Sequence, residues 1–427
     1  MRQNTAERAT SSHGSKDGIL LLGNYRATLA LARELRKRNY HVACGREGCE
    51  GGAEYSRYIA HIWNHPPLGG APAAFFGGLR TYLREHPGIG VVFPVSEEAV
   101  RMFAENAHPL PQGVALAMAD ARIVRRCLDK EAMRRLALEC AVPIAPIEAV
   151  RSKYALAETA ERIGFPLVVR PTVSTRRING KKAIHCSDRQ ALRDLLAAWP
   201  FDREPLLLQR TVQGKRHNVY FAADRGAITQ SLHVVVDRTD SVDGAGLAIE
   251  GRTVEPCPRL SLFTQRMLAA LGYGGVGCAQ YLVDEATGEV CFLEINPRIA
   301  GNHEVPEKAG LRLSAVPIDQ ARGQTSNDVL QGRPGLRFVW TAGALIGVKT
   351  ALRRGELGPS EAILAAIGSL RAAFRADIHV GWDWRDPLPG IVGLARLLPW
   401  FTRWEAGWRL RKAAAPRRPA ASRQTAI

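Results

Sequence analysis

A chain of 427 residues with 46% hydrophobic and 23% charged residues holds apolar material for roughly three domains of about 150 residues, which excludes an extended or low-complexity protein. Its 58 Lys and Arg against 41 Asp and Glu leave a net charge of +17, which favours anionic partners (nucleotides, acidic polymers, nucleic acid or membrane surface) without choosing among them. The eight cysteines are scattered with no zinc-site spacing and read as reduced, mostly buried thiols; no signal-peptide core or bilayer-spanning apolar run is present, so export and membrane spanning are not expected.

Residues 1–16 form a polar leader expected to be disordered. The run 18–23 predicts a short buried strand, and 27–38 shows helical spacing, with Leu29, Ala32 and Leu35 on one side and Arg33, Arg36 and Lys37 on the other. The turn from Gly23 to Thr28 reads as structural, with a phosphate cradle as the alternative. A strand at 91–94 leads to Ser96 as helix N-cap, with Glu97 and Glu98 in the first turn and Val100, Phe103 and Ala104 on the inner face. Residues up to about 120 thus predict a small doubly wound domain. Residues 120–138 read as one helix with Asp129 and Lys130 near its middle, ended by Val142-Pro143-Ile144-Ala145-Pro146.

A helix at 153–163 precedes Gly164-Phe165-Pro166-Leu167-Val168-Val169-Arg170-Pro171, a buried strand that delivers Arg170 at its end. Further strands follow at 205–210 and 218–223, a helix at 261–272 closed by Gly272, and a hairpin of 277–284 and 289–294.

The strongest chemical signal is 290–302, Val-Cys-Phe-Leu-Glu-Ile-Asn-Pro-Arg-Ile-Ala-Gly-Asn. Alternate side chains of a strand share a face, so Glu294, Asn296 and Arg298 point into one site. Glu294 and Asn296 are hard oxygen donors suited to Mg²⁺, and Arg298 matches the oxygens of a phosphate or acyl phosphate. An edge strand with a wet polar face is the plain alternative. Gln280 is expected opposite Glu294 across the hairpin, a hydrogen-bonded core amide being its alternative.

Beyond 325, residues 360–376 read as an amphipathic helix and 382–389 as an extended linker. Trp400, Trp404 and Trp408 then recur at helical spacing, with eight basic residues from Arg396 to Arg423 against the single acid Glu405. Such a helix suits an anionic membrane surface, or its tryptophans dock on the protein body; Pro399 interrupts the pattern. The tail beyond 413 is expected to be disordered.

The order of these parts resembles the ATP-grasp superfamily, most closely its carbamoyl-phosphate-synthetase-like carboxylate-amine ligases. The resemblance covers roughly 17–325 and is carried by Asp129-Lys130, Gly-Phe-Pro-Leu-Val-Val-Arg-Pro, Leu-Leu-Leu-Gln-Arg-Thr-Val-Gln-Gly, and Cys-Ala-Gln-Tyr followed by Phe-Leu-Glu-Ile-Asn-Pro-Arg. It implies an α/β and α+β chain: a small doubly wound pre-ATP-grasp domain at 17–120, a two-lobed ATP-grasp fold at 121–325 (lobes 121–205 and 206–325), and a helical C-terminal extension at 326–412 before a basic tail at 413–427. ATP would lie between the lobes. Lys130 and Arg170 would meet its phosphates, Gln209, Arg210 and Val212 would form the adenine hinge with His217 nearby, and Gln280, Glu294 and Asn296 would hold Mg²⁺ or Mn²⁺. Arg298, with Arg170, would be catalytic, and Asn302 and His303, in the turn that follows, are candidates to touch substrate, a merely solvated loop histidine being the alternative. Two departures from the family pattern stand out. The phosphate-covering loop 172–182 holds only Gly180, with Arg176, Arg177, Lys181 and Lys182 as alternative neutralising charges, and Arg210 and His217 occupy positions that are commonly acidic.

The function implied is that of a cytoplasmic, ADP-forming ligase that joins a carboxylate to an amine through an acyl phosphate. Its partners would be a small-molecule or acidic-polymer carboxylate and an amine, not nucleic acid, with a homodimer and peripheral contact at the inner membrane face as further expectations. The alternatives are a non-catalytic nucleotide-binding scaffold or sensor, and a bicarbonate-activating carboxylase or carbamoyl-phosphate-type enzyme. The sequence shows no glutamine-hydrolysing domain and no Met-Lys-Met biotin attachment site.

Overall fold

The computed structural model describes residues 17–47, 51–172, 176–178, 183–197, 205–244, 246–324, 329–398 and 400–401. The first unit is a parallel sheet of β1 (Gly18–Leu22), β2 (His41–Arg46), β3 (His61–Asn64), β4 (Ile89–Pro94) and β5 (Ala115–Leu116) in the order β3-β2-β1-β4-β5. The helices α1 (Arg26–Lys37), α2 (Pro72–Glu85) and α3 (Glu97–Glu105) connect these strands. Ile19, Leu20, Leu21 and Leu22 are all fully buried, as expected for a central parallel strand covered on both faces. Ser96 caps α3, its hydroxyl accepting from Ala99 N at 3.1 Å.

The single helix expected at 120–138 is two, α4 (Ala121–Leu128) and α5 (Lys130–Glu139). Asp129 makes the break: its Oδ1 accepts from Glu131 N at 2.9 Å and Ala132 N at 3.0 Å, an N-cap geometry that starts a new helix and places Lys130 at its first position.

A four-stranded sheet follows, made of β6 (Ile147–Val150), β7 (Leu167–Pro171), β8 (Ile184–Cys186) and β9 (Leu206–Arg210) in the order β6-β9-β7-β8, with α6 (Lys153–Ile163) and α7 (Arg189–Leu196). The third sheet has eight strands. Its main path is β14-β13-β10-β11-β12-β16-β17, and β15 adds to β11. The ranges are β10 (Lys215–Asp224), β11 (Ala227–Thr239), β12 (Ala248–Val254), β13 (Gly275–Val283), β14 (Val290–Asn296), β15 (Leu330–Gln331), β16 (Arg337–Val339) and β17 (Ile378–His379). One face, with Val219, Phe221, Ala279, Tyr281 and Phe292, packs against residues of α4, α5 and α8 (Pro258–Leu271). The other, with Tyr220, Ala222, Val234 and Cys278, packs against the first unit and the segment from Ile299 to Ile318, which includes α9 (Glu304–Lys308) and α10 (Val316–Ala321).

The C-terminal part adds α11 (Thr341–Arg353), α12 (Pro359–Arg375) and α13 (Pro387–Ala395). Residues 382–389 are therefore not an extended linker. Asp386 ends that stretch and α13 begins at Pro387, whose missing N–H costs nothing in the first helical turn. The α12 helix is formed as expected, but its large apolar residues Ile363, Leu364, Leu370 and Phe374 face outward while Ala362 and Ser369 are buried.

A buried polar cluster joins this extension to the first unit. Asp386 accepts from Ser56 Oγ at 2.7 Å, Arg57 N at 2.9 Å and Arg33 Nε at 3.3 Å, and Glu304 accepts from Gly381 N at 3.0 Å. Trp404, Trp408, the 1–16 leader and the 413–427 tail lie outside the described residues. Among the described residues no helix is long and apolar enough to cross a membrane. Cys44, Cys127, Cys186, Cys278 and Cys291 are buried free thiols.

Candidate active site

Gln280 on β13 and Glu294 on β14 are direct cross-strand partners, and Asn218 on β10 is the partner of Gln280 on the other side. The three form a row across three strands, extended by Asn296, whose Nδ2 donates to Glu294 Oε1 at 2.9 Å. The register shifts next to Gln280, so that Tyr281 pairs with Phe292 and Leu293 is bulged. Phe292 thereby turns to the apolar core while Glu294, two residues on, faces the opposite side, the re-aiming that a bulge provides. Asn218 is 4% exposed and its Oδ1 has no hydrogen-bond partner. The donors are hard oxygens with a single carboxylate, and no group of three His, Cys, Asp or Glu that could hold a metal ion occurs among the described residues. This set fits Mg²⁺, which is commonly held by one or two carboxylates together with phosphate oxygens and water.

Arg298 follows at the end of this face. Its Nη2 lies 3.4 Å from Glu97 Oε2, at the start of α3, and its Nη1 donates to Ile299 O at 3.2 Å. Burial acts to lower the Arg298 pKa, but Tyr25, Glu97 and Glu294 outweigh it and hold it above the ordinary value. The Tyr25 hydroxyl donates to Val95 O at 2.6 Å, which fixes the turn beneath α3. From the four-stranded sheet, Arg170 brings its guanidinium within electrostatic reach of Glu294 and Cys291; its Nε is buried without a partner, and burial lowers its pKa. Lys130 is half-buried at the first position of α5, which packs on β14.

The 209–214 segment links the two sheets. Arg210 N donates to Pro146 O at 2.9 Å and Thr211 N to Pro166 O at 3.0 Å. Gly214 has φ +133, and a Cβ there would lie 2.5 Å from Val283 O, so the link into β10 requires glycine. Gln209 and Val212 are half-buried, and Arg210 is exposed 3.7 Å from Glu289. The structure does not bring His217 to the others. It pairs with Tyr281 on the opposite face of β10, where burial lowers its pKa. Its neighbour Arg216 is the residue on the same face as Asn218 and Gln280, with Nη1 donating to Gly246 O at 2.9 Å and Nε buried and unpartnered. The period-two alternation through Asn218 and Tyr220 was the signal that could have found it.

Asn302 and His303 are buried. Asn302 Nδ2 donates to Ala248 O at 3.1 Å, and His303 Nε2 lies 2.8 Å from Ser314 Oγ, so His303 is structural here and not a loop residue open to substrate. The turn from Gly23 to Thr28 is closed by its own hydrogen bond, Thr28 Oγ1 to Gly23 O at 2.7 Å. In the 172–182 segment expected to cover the phosphates, Arg176 and Arg177 are exposed, and Gly180, Lys181 and Lys182 lie outside the described residues.

Residues 255–328, which contain Gln280, Glu294, Asn296 and Arg298, match the family model described as "Carbamoyl-phosphate synthase L chain, ATP binding domain". Over these residues the chain is similar to ATP-grasp proteins of the carbamoyl-phosphate synthase kind. It is 29% identical over 179 residues to an acetyl-CoA carboxylase of Dictyostelium discoideum, covering 39% of this chain and 7% of that one. It is 26% identical over 229 residues to the carbamoyl phosphate synthase large chain of Kocuria rhizophila, covering 51% and 20%. The chain thus spans a fifth or less of the length of these curated relatives. Among solved structures, the ADP complex of the N5-carboxyaminoimidazole ribonucleotide synthetase purK shares the fold, with a TM-score of 0.58 at 13% identity over 80% of this chain and 85% of that one. Neither the relatives nor the described residues support the expected membrane contact.

Proposed function

We propose that the protein is an ADP-forming ATP-grasp ligase that activates a carboxylate as an acyl phosphate and transfers it to an amine, acting on small molecules in the cytoplasm. The reading is carried by one observation: Glu294, paired with Gln280, is faced by Arg170 from the other sheet and followed on its own face by Asn296 and Arg298. In this account ATP lies between the two sheets. The 209–212 link meets the adenine, with Gln209 and the main chain of Arg210 at its edge and Val212 against the ring. Lys130 and Arg170 take the phosphates.

Gln280, Glu294 and Asn296 would hold Mg²⁺, which supplies charge neutralisation and alignment of the β and γ phosphates. Arg298 orients the carboxylate, whose oxygen attacks the γ-phosphorus in line as the bond to ADP breaks. The amine nitrogen then attacks the acyl carbon, inorganic phosphate leaves, and the nitrogen loses a proton to give the amide. Arg170 and Arg298 stabilise charge that develops on the transferred oxygens, so the protein's contribution is positioning and electrostatics.

ADP release measured across a panel of carboxylates, with hydroxylamine as the amine, tests the proposal. The expected result is carboxylate-dependent ADP with matching hydroxamate; ADP formation indifferent to any acid would contradict it. A bicarbonate-activating enzyme is the second reading, because the curated relatives are named as a carboxylase and a carbamoyl phosphate synthase. ADP released with bicarbonate alone would favour it.

A further inference from the structure

Arginines from three separate segments gather on one side of the candidate site: Arg26 at the start of α1, Arg216 on β10 and Arg298 after β14. Arg298 has Glu97 as its ion-pair partner. Arg26 is held differently. Its guanidinium lies 3.8 Å from the centre of the Trp340 ring, and its Nε donates to Gly301 O at 3.0 Å. A Cβ at residue 301 would stand 2.7 Å from Arg26 Nη2, so Gly301 makes the room that the guanidinium occupies.

Stacked on one side and hydrogen-bonded on another, Arg26 forms no ion pair among the described residues. The neighbouring Asp240 spends its Oδ1 on Leu247 N at 2.6 Å. Arg216 faces the same surroundings, since both arginines have Tyr220 and Asp240 within electrostatic reach, and its Nε is buried with no partner. Burial lowers the Arg26 pKa to about 10, which leaves it cationic at neutral pH. A half-buried guanidinium kept rigid by an aromatic face and a carbonyl, with no carboxylate of its own, is preorganised for an anion.

We propose that Arg26 and Arg216 bind a second anionic group of the substrate, so that the acid activated at Arg298 is a dicarboxylate or a phosphorylated carboxylic acid and not a simple monocarboxylate. The inference rests on the ligase reading of this site and names its substrate class. It also gives the C-terminal extension a part in specificity, because Trp340, just before α11, is the surface on which Arg26 lies. Arg26 and Arg216 contact the substrate in this scheme, and Trp340 and Gly301 position Arg26.

Calorimetric titration of the full chain, saturated with MgADP, tests the proposal with three probes: glutarate for a carboxylate as second anion, 3-phosphoglycerate for a phosphate, and butyrate as the monoanion. Binding of glutarate or 3-phosphoglycerate, whichever it is, at least about tenfold tighter than butyrate is expected. Arg26→Gln and Arg216→Gln should each remove about tenfold of that preference, and Arg26→Lys, which keeps the charge and loses the planar stack, should fall between. Butyrate binding as well as both dianions, no binding of either dianion, or a preference unmoved in the variants would overturn the inference. MgADP binding is read in the same experiment. If it is present and abolished by Glu294→Ala, the ligase reading survives such a failure; if the intact chain binds no MgADP, it is that reading which fails.

Discussion

Glu97 Oε2 stands 3.4 Å from Arg298 Nη2, so a carboxylate at the start of α3 holds the guanidinium that follows β14, two elements 201 residues apart in sequence. The sequence accounts for Glu97 as a first-turn acid favoured by the helix dipole. The structure gives it a second task, orienting Arg298 toward the face that carries Glu294. Glu97→Gln is expected to lower the rate of ADP formation about tenfold while the KM for ATP stays within about twofold, with partial recovery in Glu97→Asp. Steady-state kinetics separate this from a folding defect, which would reduce active enzyme in all assays alike and would not be restored by the shorter acid.

Asp386 ties the C-terminal extension to the first unit through Ser56, the Arg57 amide and Arg33, all in a region where Arg33 and Asp386 are 3% and 2% exposed. Removing the carboxylate leaves Ser56 Oγ and Arg57 N without their acceptor and buried Arg33 with Glu304, 3.9 Å away, as its remaining counter-ion. Asp386→Ala should therefore destabilise the protein by about 3 kcal/mol. Chemical denaturation checks this as a lower midpoint at unchanged slope.

His233 is 1% exposed, accepts from Cys257 N through Nδ1 at 3.3 Å and lies 3.1 Å from Ser261 Oγ through Nε2. That pattern requires the neutral ring. Burial, with a further push from His217, depresses its pKa to about 4. An unfolded histidine titrates near 6.5, so between about 6.5 and 4 the unfolded chain binds a proton that the native chain refuses. The stability present above about pH 6.5 is thus lost as the pH falls through this window, by about 3 kcal/mol in all. Melting curves of His233→Gln from pH 7 to pH 4 should show a shallower decline than the wild type, after correction for the carboxylates that titrate in the lower part of the range.

Asp129→Ala removes the acceptor for two N–H groups at the start of α5. A loss of about 1 kcal/mol is expected. Since Lys130 is the next residue, weaker ATP binding should accompany the lower melting temperature.

Much of this was legible in the sequence because it rests on local pattern. The β13–β14 hairpin announces itself by two apolar runs around a Thr-Gly turn, and the strand period alone places Glu294 and Asn296 together. The strands β2 and β3 are hard to read from sequence because their ends are polar, His41 with Arg46 and His61 with Asn64, which masks the strand signal. His217 is implied by the family resemblance alone, and the register of β10, set by β13 and not by its own composition, turns it away from Gln280 and puts Arg216 and Asn218 on that side. The bulge at Leu293, the break at Asp129 and the stacking of Arg26 on Trp340 depend on hydrogen bonds and distant contacts that no local pattern encodes.

The most direct test of the central claim is calorimetric titration of the intact chain with ATP, with and without Mg²⁺, beside a Glu294→Ala/Asn296→Ala variant. Tight binding that requires Mg²⁺ and is lost in the variant is the predicted result. Binding that ignores the metal and survives both substitutions would contradict a phosphoryl-transfer site built on this row of residues.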